Sequence, residues 1–138
     1  MITRLFQSVA WLVLGGLVVQ FYLAGAALFG ATTFQSHRTL GTALGAAVLL
    51  LLILSVMARP GRRVVGLAAT LMALTVVQLL LPSLRTGLPW VAALHVVNAI
   101  ALVAVTVSIA RAPLDARWGL SARSTEPRPG RTAAGSVR

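Results

Sequence analysis

The chain has 138 residues, 58% hydrophobic and only 10% charged, with a formal net charge of +10. Soluble domains carry about 45–50% apolar and about 25% charged residues, and a domain this small has too little interior to hide the excess. Lipid must solvate most of the surface, which excludes an ordinary soluble domain.

Four uncharged apolar segments follow in order: 5–30, 39–58, 64–81 and 90–110. About 20 helical residues at 1.5 Å each cross a hydrocarbon core of about 30 Å, so each segment predicts a transmembrane helix. The first contains Ala24-Gly25-Ala26, a weak signal-cleavage match. Its apolar run is about twice the 7–15 residues of a signal core, so it is expected to remain as a helix. The breaks between segments are chemically distinct. Residues 31–38 are polar, Arg59-Pro60-Gly61-Arg62-Arg63 is a tight basic turn, and 82–89 holds Ser83, Arg85 and Gly87. Pro and Gly at such points end helices, and short links make successive spans antiparallel. The expected fold is all-α: an integral-membrane, up-down four-helix bundle over residues 1–111. Residues 112–138 mix Arg, Pro, Ser, Thr and Gly with few large apolar groups, and predict a disordered basic tail that touches anionic lipid.

All twelve basic residues are arginine. Ten fall on one side of the predicted topology (positions 4, 59, 62, 63, 111, 117, 123, 128, 131 and 138), and Arg38 and Arg85 fall on the other. The positive-inside rule then places both termini in the cytoplasm of a multi-pass protein of the inner (plasma) membrane. The arginines form no stripe with interleaved aromatics, so nucleic acid is not an expected partner. With no cysteine, disulfides, iron–sulfur clusters and thiolate metal sites are excluded. Trp11, Trp90, Trp118 and Tyr22 read as lipid-facing or interfacial belt residues.

Polar groups gather in the outer half. Gln20, Gln78, His95 and Asn98 interrupt three of the apolar segments, and His37 with Arg38 opens another. Such side chains are costly in lipid, so they face the bundle interior and find partners there. His37, Gly41 and Gly45 share one helix face at i, i+4 and i+8, and Gly16, Gln20, Ala24 and Ala27 share another. Small residues serve close helix packing, as in Gly-x-x-x-Gly, or leave room for a flat ligand beneath a histidine. In a sequential bundle the second and fourth helices are diagonal, with axes roughly 12–14 Å apart when neighbours stand 8–10 Å apart. A porphyrin iron between two imidazoles fits that gap. Zinc or copper would need further ligands, and the only acids, Asp115 and Glu126, lie in the tail. Haem b is therefore the expected cofactor, with His37 and His95 on the metal and Arg38 or Arg85 available to its propionates. Gln20, Gln78 and Asn98 are expected to orient the imidazoles or to bind a second ligand such as a quinone.

The set Gln20-Phe-Tyr-Leu-Ala-Gly, His37-Arg38-x-Leu-Gly41, Gln78 and Leu94-His95-x-x-Asn98-Ala99 resembles a family of small four-helix bacterial membrane proteins of unknown function. The likeness covers about residues 5–110. The chain is also similar to one half of a haem A synthase, whose four-helix halves each offer a histidine from the second helix and one from the fourth. That resemblance implies haem ligation by His37 and His95. Haem A synthases have two such halves and an acidic residue near the catalytic pair. This chain has neither, so haem-modifying catalysis is not expected.

Three functions follow as expectations. The first is a b-type cytochrome-like bundle that handles haem or passes electrons between a quinone or redox protein and an outer acceptor. The second is a structural or assembly subunit, without cofactor, whose polar layer serves helix packing alone. The third, a small transporter or proton path, is disfavoured by the shortage of membrane carboxylates. Gly15-Gly16 and Gly25 leave homodimerisation through the first helix open.

Overall fold

The computed structural model describes residues 1–58 and 60–113 and is helical throughout: α1 (Ile2–Leu28), α2 (Phe34–Ala58), α3 (Arg62–Leu80) and α4 (Pro89–Ala110), with a 3-10 segment, Leu81–Thr86, continuing α3. Each helix is long and apolar enough to cross a membrane. The tail expected from residue 112 lies, from residue 114 on, outside the described residues. Helices pack as a ring, α1 on α2, α2 on α3, α3 on α4 and α4 on α1, while the diagonal pairs α1/α3 and α2/α4 make no close backbone approach. The all-α, up-down four-helix architecture is thus as expected, and its four apolar helices suggest a multi-pass membrane protein.

The helices run past their charge-free stretches. The second begins at Phe34 rather than Thr39, so His37 sits inside its first turn instead of at a loop. The third begins with Arg62 and Arg63, whose long stems can stay helical while their charged heads reach water. The 82–89 break is largely 3-10 helix, because Pro82 sits at the start of that segment, where its missing N–H costs nothing. At the end of α1 the chain stops in a Schellman arrangement. Gly30, at φ 77°, bonds Ala27 O, and Ala31 N–H reaches back to Ala26 O at 2.8 Å. Gly61, at φ 108°, turns the chain from α2 into α3 in a region that side chains other than glycine enter only with strain.

We call the end holding the start of α1 and the end of α4 proximal, and the opposite end distal. The proximal half is close-packed: Phe6, Ala10, Val13, Leu51, Leu71, Thr106 and Ile109 are all essentially sealed. There Gln7 Nε2 donates to Ala110 O and ties α1 to the end of α4. The distal half is looser, with Leu81 the buried apolar residue among the described residues near that end. Trp11, Tyr22 and Trp90 face outward.

The buried positions repeat at an interval of 58 residues. Phe6, Ala10 and Val13 of α1 correspond to Val64, Ala68 and Leu71 of α3, and all six are buried. Leu44, Val48 and Leu51 of α2 correspond in the same way to Leu102, Thr106 and Ile109 of α4. Identical residues at this interval include Arg4/Arg62, Ala10/Ala68, Val18-Val19-Gln20/Val76-Val77-Gln78 and His37/His95. The bundle is therefore two like hairpins, α1–α2 and α3–α4. Each contains two helices, so both run in the same sense and equivalent residues lie at equivalent depths.

Candidate functional site

The distal half collects the polar residues. Gln20 lies eight residues before the end of α1, and Gln78 eight before the end of the 3-10 segment. His37 occupies the first turn of α2 and His95 the second turn of α4. These two helices are diagonal, and the two imidazoles meet across the centre with ring centroids 6.2 Å apart and planes at 64°.

Each ring is anchored by the preceding helix of its own hairpin. His37 Nδ1 lies 3.2 Å from Gln20 O, and His95 Nδ1 lies 3.0 Å from Gln78 O, each across an interval of 17 residues. A carbonyl oxygen only accepts, so Nδ1 carries the proton and donates in both rings. The neutral imidazole then has its lone pair on Nε2. Metal-binding histidines are commonly oriented by this same backbone contact.

Beyond these anchors the halves differ. In the second hairpin Gln78 Nε2 donates to His95 Nε2 at 3.2 Å, and Gln78 Oε1 accepts from Asn98 Nδ2 at 2.7 Å. Asn98 Nδ2 also donates to Leu74 O at 2.9 Å. His95, Gln78 and Asn98 thus form a satisfied clasp between α3 and α4. In the first hairpin the position equivalent to Asn98 is Leu40, which offers no donor. Gln20 Oε1 is buried without a hydrogen-bond partner, and among the described residues no hydrogen bond reaches His37 Nε2. Phe34, which sequence reasoning passed over, stands edge-on to His37 with centroids 6.4 Å apart. It is one helical turn earlier on the same face, so i, i+3 spacing would have found it.

The small residues have occupied neighbours. A side chain at Gly41 would start 2.8 Å from Gln20 Nε2, so the Gln20 carboxamide lies where a Cβ would be. A Cβ at Gly45 would stand 3.6 and 3.9 Å from Leu79 and Thr75 of α3, and one at Gly16 would run into Leu44. The layer therefore brings together Gln20, His37 and Gly41 on one side and Gln78, His95 and Asn98 on the other. Gly45 turns toward α3. Arg38 and Arg85 are exposed at the distal end. Among the described residues no group of three or more His, Cys, Asp or Glu side chains converges. A metal held here by side chains of those types would have two imidazoles and must draw its other ligands elsewhere.

Residues 20–87 match the family described as Family of unknown function (DUF6220). That stretch is just under half of the chain and runs from Gln20 through His37 and Gln78 to the end of the 3-10 segment, stopping short of His95. No curated protein and no solved structure matches, and nothing in these comparisons links the chain to haem A synthase. The molecule is an all-helical, membrane-like four-helix protein, similar over residues 20–87 to a family of unknown function.

Proposed function

We propose that this protein holds haem b in the distal half of its bundle, with His37 and His95 as axial ligands, and serves in electron transfer or haem handling rather than as an enzyme. The reading rests on one observation: two backbone-anchored imidazoles from diagonal helices with ring centres 6.2 Å apart. A metal–nitrogen bond of about 2 Å plus about 1 Å from nitrogen to ring centre, on each side, gives roughly 6 Å for two imidazoles on one metal. Haem supplies the in-plane nitrogens itself, so two protein ligands suffice. The donor set fits, with one adjustment: the Gln78 carboxamide must leave His95 Nε2. On this reading the arginine-rich proximal end is cytoplasmic, as the positive-inside rule expects, and the site lies in the outer half of the membrane. Arg38 and Arg85 are then the cations nearest to carboxylates at that surface. A quinone or a redox protein would exchange electrons with it.

The test is the absorption spectrum of the purified protein after addition of ferric haem. A Soret band should form with the native chain and vanish in the His37→Ala, His95→Ala double variant. A band unchanged in that variant overturns the ligand assignment.

One observation favours a second reading, a structural or assembly subunit without cofactor. The Gln78 amide already occupies His95 Nε2, so the clasp is complete in itself. Interhelical hydrogen bonds in membranes contribute about 0.6 kcal/mol each. On this reading Gln78→Leu lowers thermal stability by about 1 kcal/mol, and no preparation takes up haem.

A further inference from the structure

The two hairpins repeat the glutamine and the histidine of their distal polar layer but exchange Asn98 for Leu40 and Ala99 for Gly41, and hydrogen bonding differs between them accordingly. Where the asparagine is present, the glutamine carboxamide is held at both ends. Its oxygen takes the Asn98 N–H, and its nitrogen is left facing His95 Nε2. Where leucine replaces it, the glutamine oxygen has no donor, the carboxamide lies instead against Gly41, and His37 Nε2 is left uncovered. The covering of His95 thus goes with a donor, Asn98, that itself bonds neither imidazole, and with an Ala99 side chain at the position where Gly41 leaves a seat for the other carboxamide.

We propose that Asn98 is a positioning residue that latches Gln78 over His95, and that the pair of imidazoles is consequently engaged in order. His37 takes the first metal–nitrogen bond, and His95 joins only after the Gln78 carboxamide has turned away. Opening the latch breaks the hydrogen bond to His95 Nε2 and leaves an amide whose oxygen can remain on Asn98. The His95 ring need not move, because its Nδ1 stays on the Gln78 carbonyl. Breaking one interhelical hydrogen bond in the membrane costs little against a metal–imidazole bond. The latch therefore sets order and affinity without forbidding a two-imidazole site. The inference rests on the haem reading above.

The experiment titrates ferric protoporphyrin IX into the full-length protein in lipid nanodiscs. It reads affinity, the spin state of the bound iron from its absorption spectrum, and the melting temperature of the protein before loading. His37→Ala should weaken binding at least tenfold more than His95→Ala, and the His95→Ala protein should hold haem in a high-spin, one-imidazole form. Asn98→Leu, which gives the second hairpin the first one's residue at this position, should lower the melting temperature of the unloaded protein yet tighten haem binding several-fold. Leu40→Asn, which gives the first hairpin the second one's residue at this position, should do the reverse: a higher melting temperature, because Gln20 Oε1 gains a donor, and weaker binding. A purely structural asparagine moves the melting temperature alone. Equal losses from the two histidine variants, or an Asn98→Leu protein with unchanged affinity and spin state, overturns the proposal while leaving haem ligation standing. Haem uptake indifferent to both histidines overturns the ligand assignment and this inference together. If Leu40→Asn does not fold, the other three variants decide the matter.

Discussion

Gly41 and Gly16 show how single residues shape this bundle. Both lie where a neighbouring helix comes close, but the atom met differs in its freedom. At Gly41 it is the far end of the Gln20 side chain, which can swing aside. At Gly16 it is the branched end of Leu44, a side chain that is itself buried. Gly16→Ala is expected to cost about 1–3 kcal/mol as overpacking. Gly41→Ala should cost about 1 kcal/mol or less and act instead by expelling the Gln20 carboxamide from its seat. Thermal unfolding in detergent separates the two, and a larger loss at Gly41 would contradict the difference in freedom. Thr75 and Thr106 illustrate a different economy. Each is buried, and each donates its hydroxyl to a carbonyl four residues back, Leu71 O and Leu102 O. Neither leaves a polar atom stranded in the core.

At the scale of an element, the helix ends carry most of what departs from expectation. Charge-free runs mark four spans because lipid tolerates few charges over about 20 residues. They do not mark where a helix stops. Arg62 and Arg63 are charged yet helical, and the polar run before Thr39 contains the first turn of α2. The end of α1 is set by backbone geometry, since the left-handed conformation at Gly30 lets two N–H groups return to carbonyls of the last turn. Gly30→Ala should destabilise by about 1 kcal/mol, the cost of a side chain in that conformation. It should fray the end of α1 without touching the proximal core, so hydrogen exchange should quicken at Leu28 to Ala31 alone. Exchange that quickens along the whole of α1 would mean the cap holds more than its own turn. The candidate site was legible only in part. His37, His95, Gln20, Gln78 and Asn98 stand out as polar groups in apolar segments. Their bonding was not readable, because hydropathy carries no information on a ring nitrogen meeting a backbone carbonyl. The 17-residue interval from each glutamine to its histidine was present in the chain and is the signal that would have paired them. It is masked by unlike hairpin turns, Gly30-Ala31-Thr32-Thr33 in one and Gly87-Leu88 in the other.

The whole molecule is uneven along its length, firmly packed at the proximal end and looser where the polar layer lies. Leu51 is sealed among apolar neighbours, while Leu94 near the distal end is half exposed. Leu51→Ala should cost about 2–3 kcal/mol through the cavity it leaves, and Leu94→Ala less than about 0.5 kcal/mol. Unfolding titrations that gave equal losses would show that the distal half is packed as firmly as the proximal half. The four-span architecture was legible because composition forces it. The repeat was not, because its halves share buried positions more than they share residue identities.

The doubling has a consequence of its own. Two separate copies of one hairpin, set about a common axis, would be bound to present the same residue at both places now held by Leu40 and Asn98. Written into a single polypeptide, the copies are released from that obligation. One edge can be tightened with an amide while the other keeps a hydrocarbon, and a scaffold of two like sides acquires a front and a back.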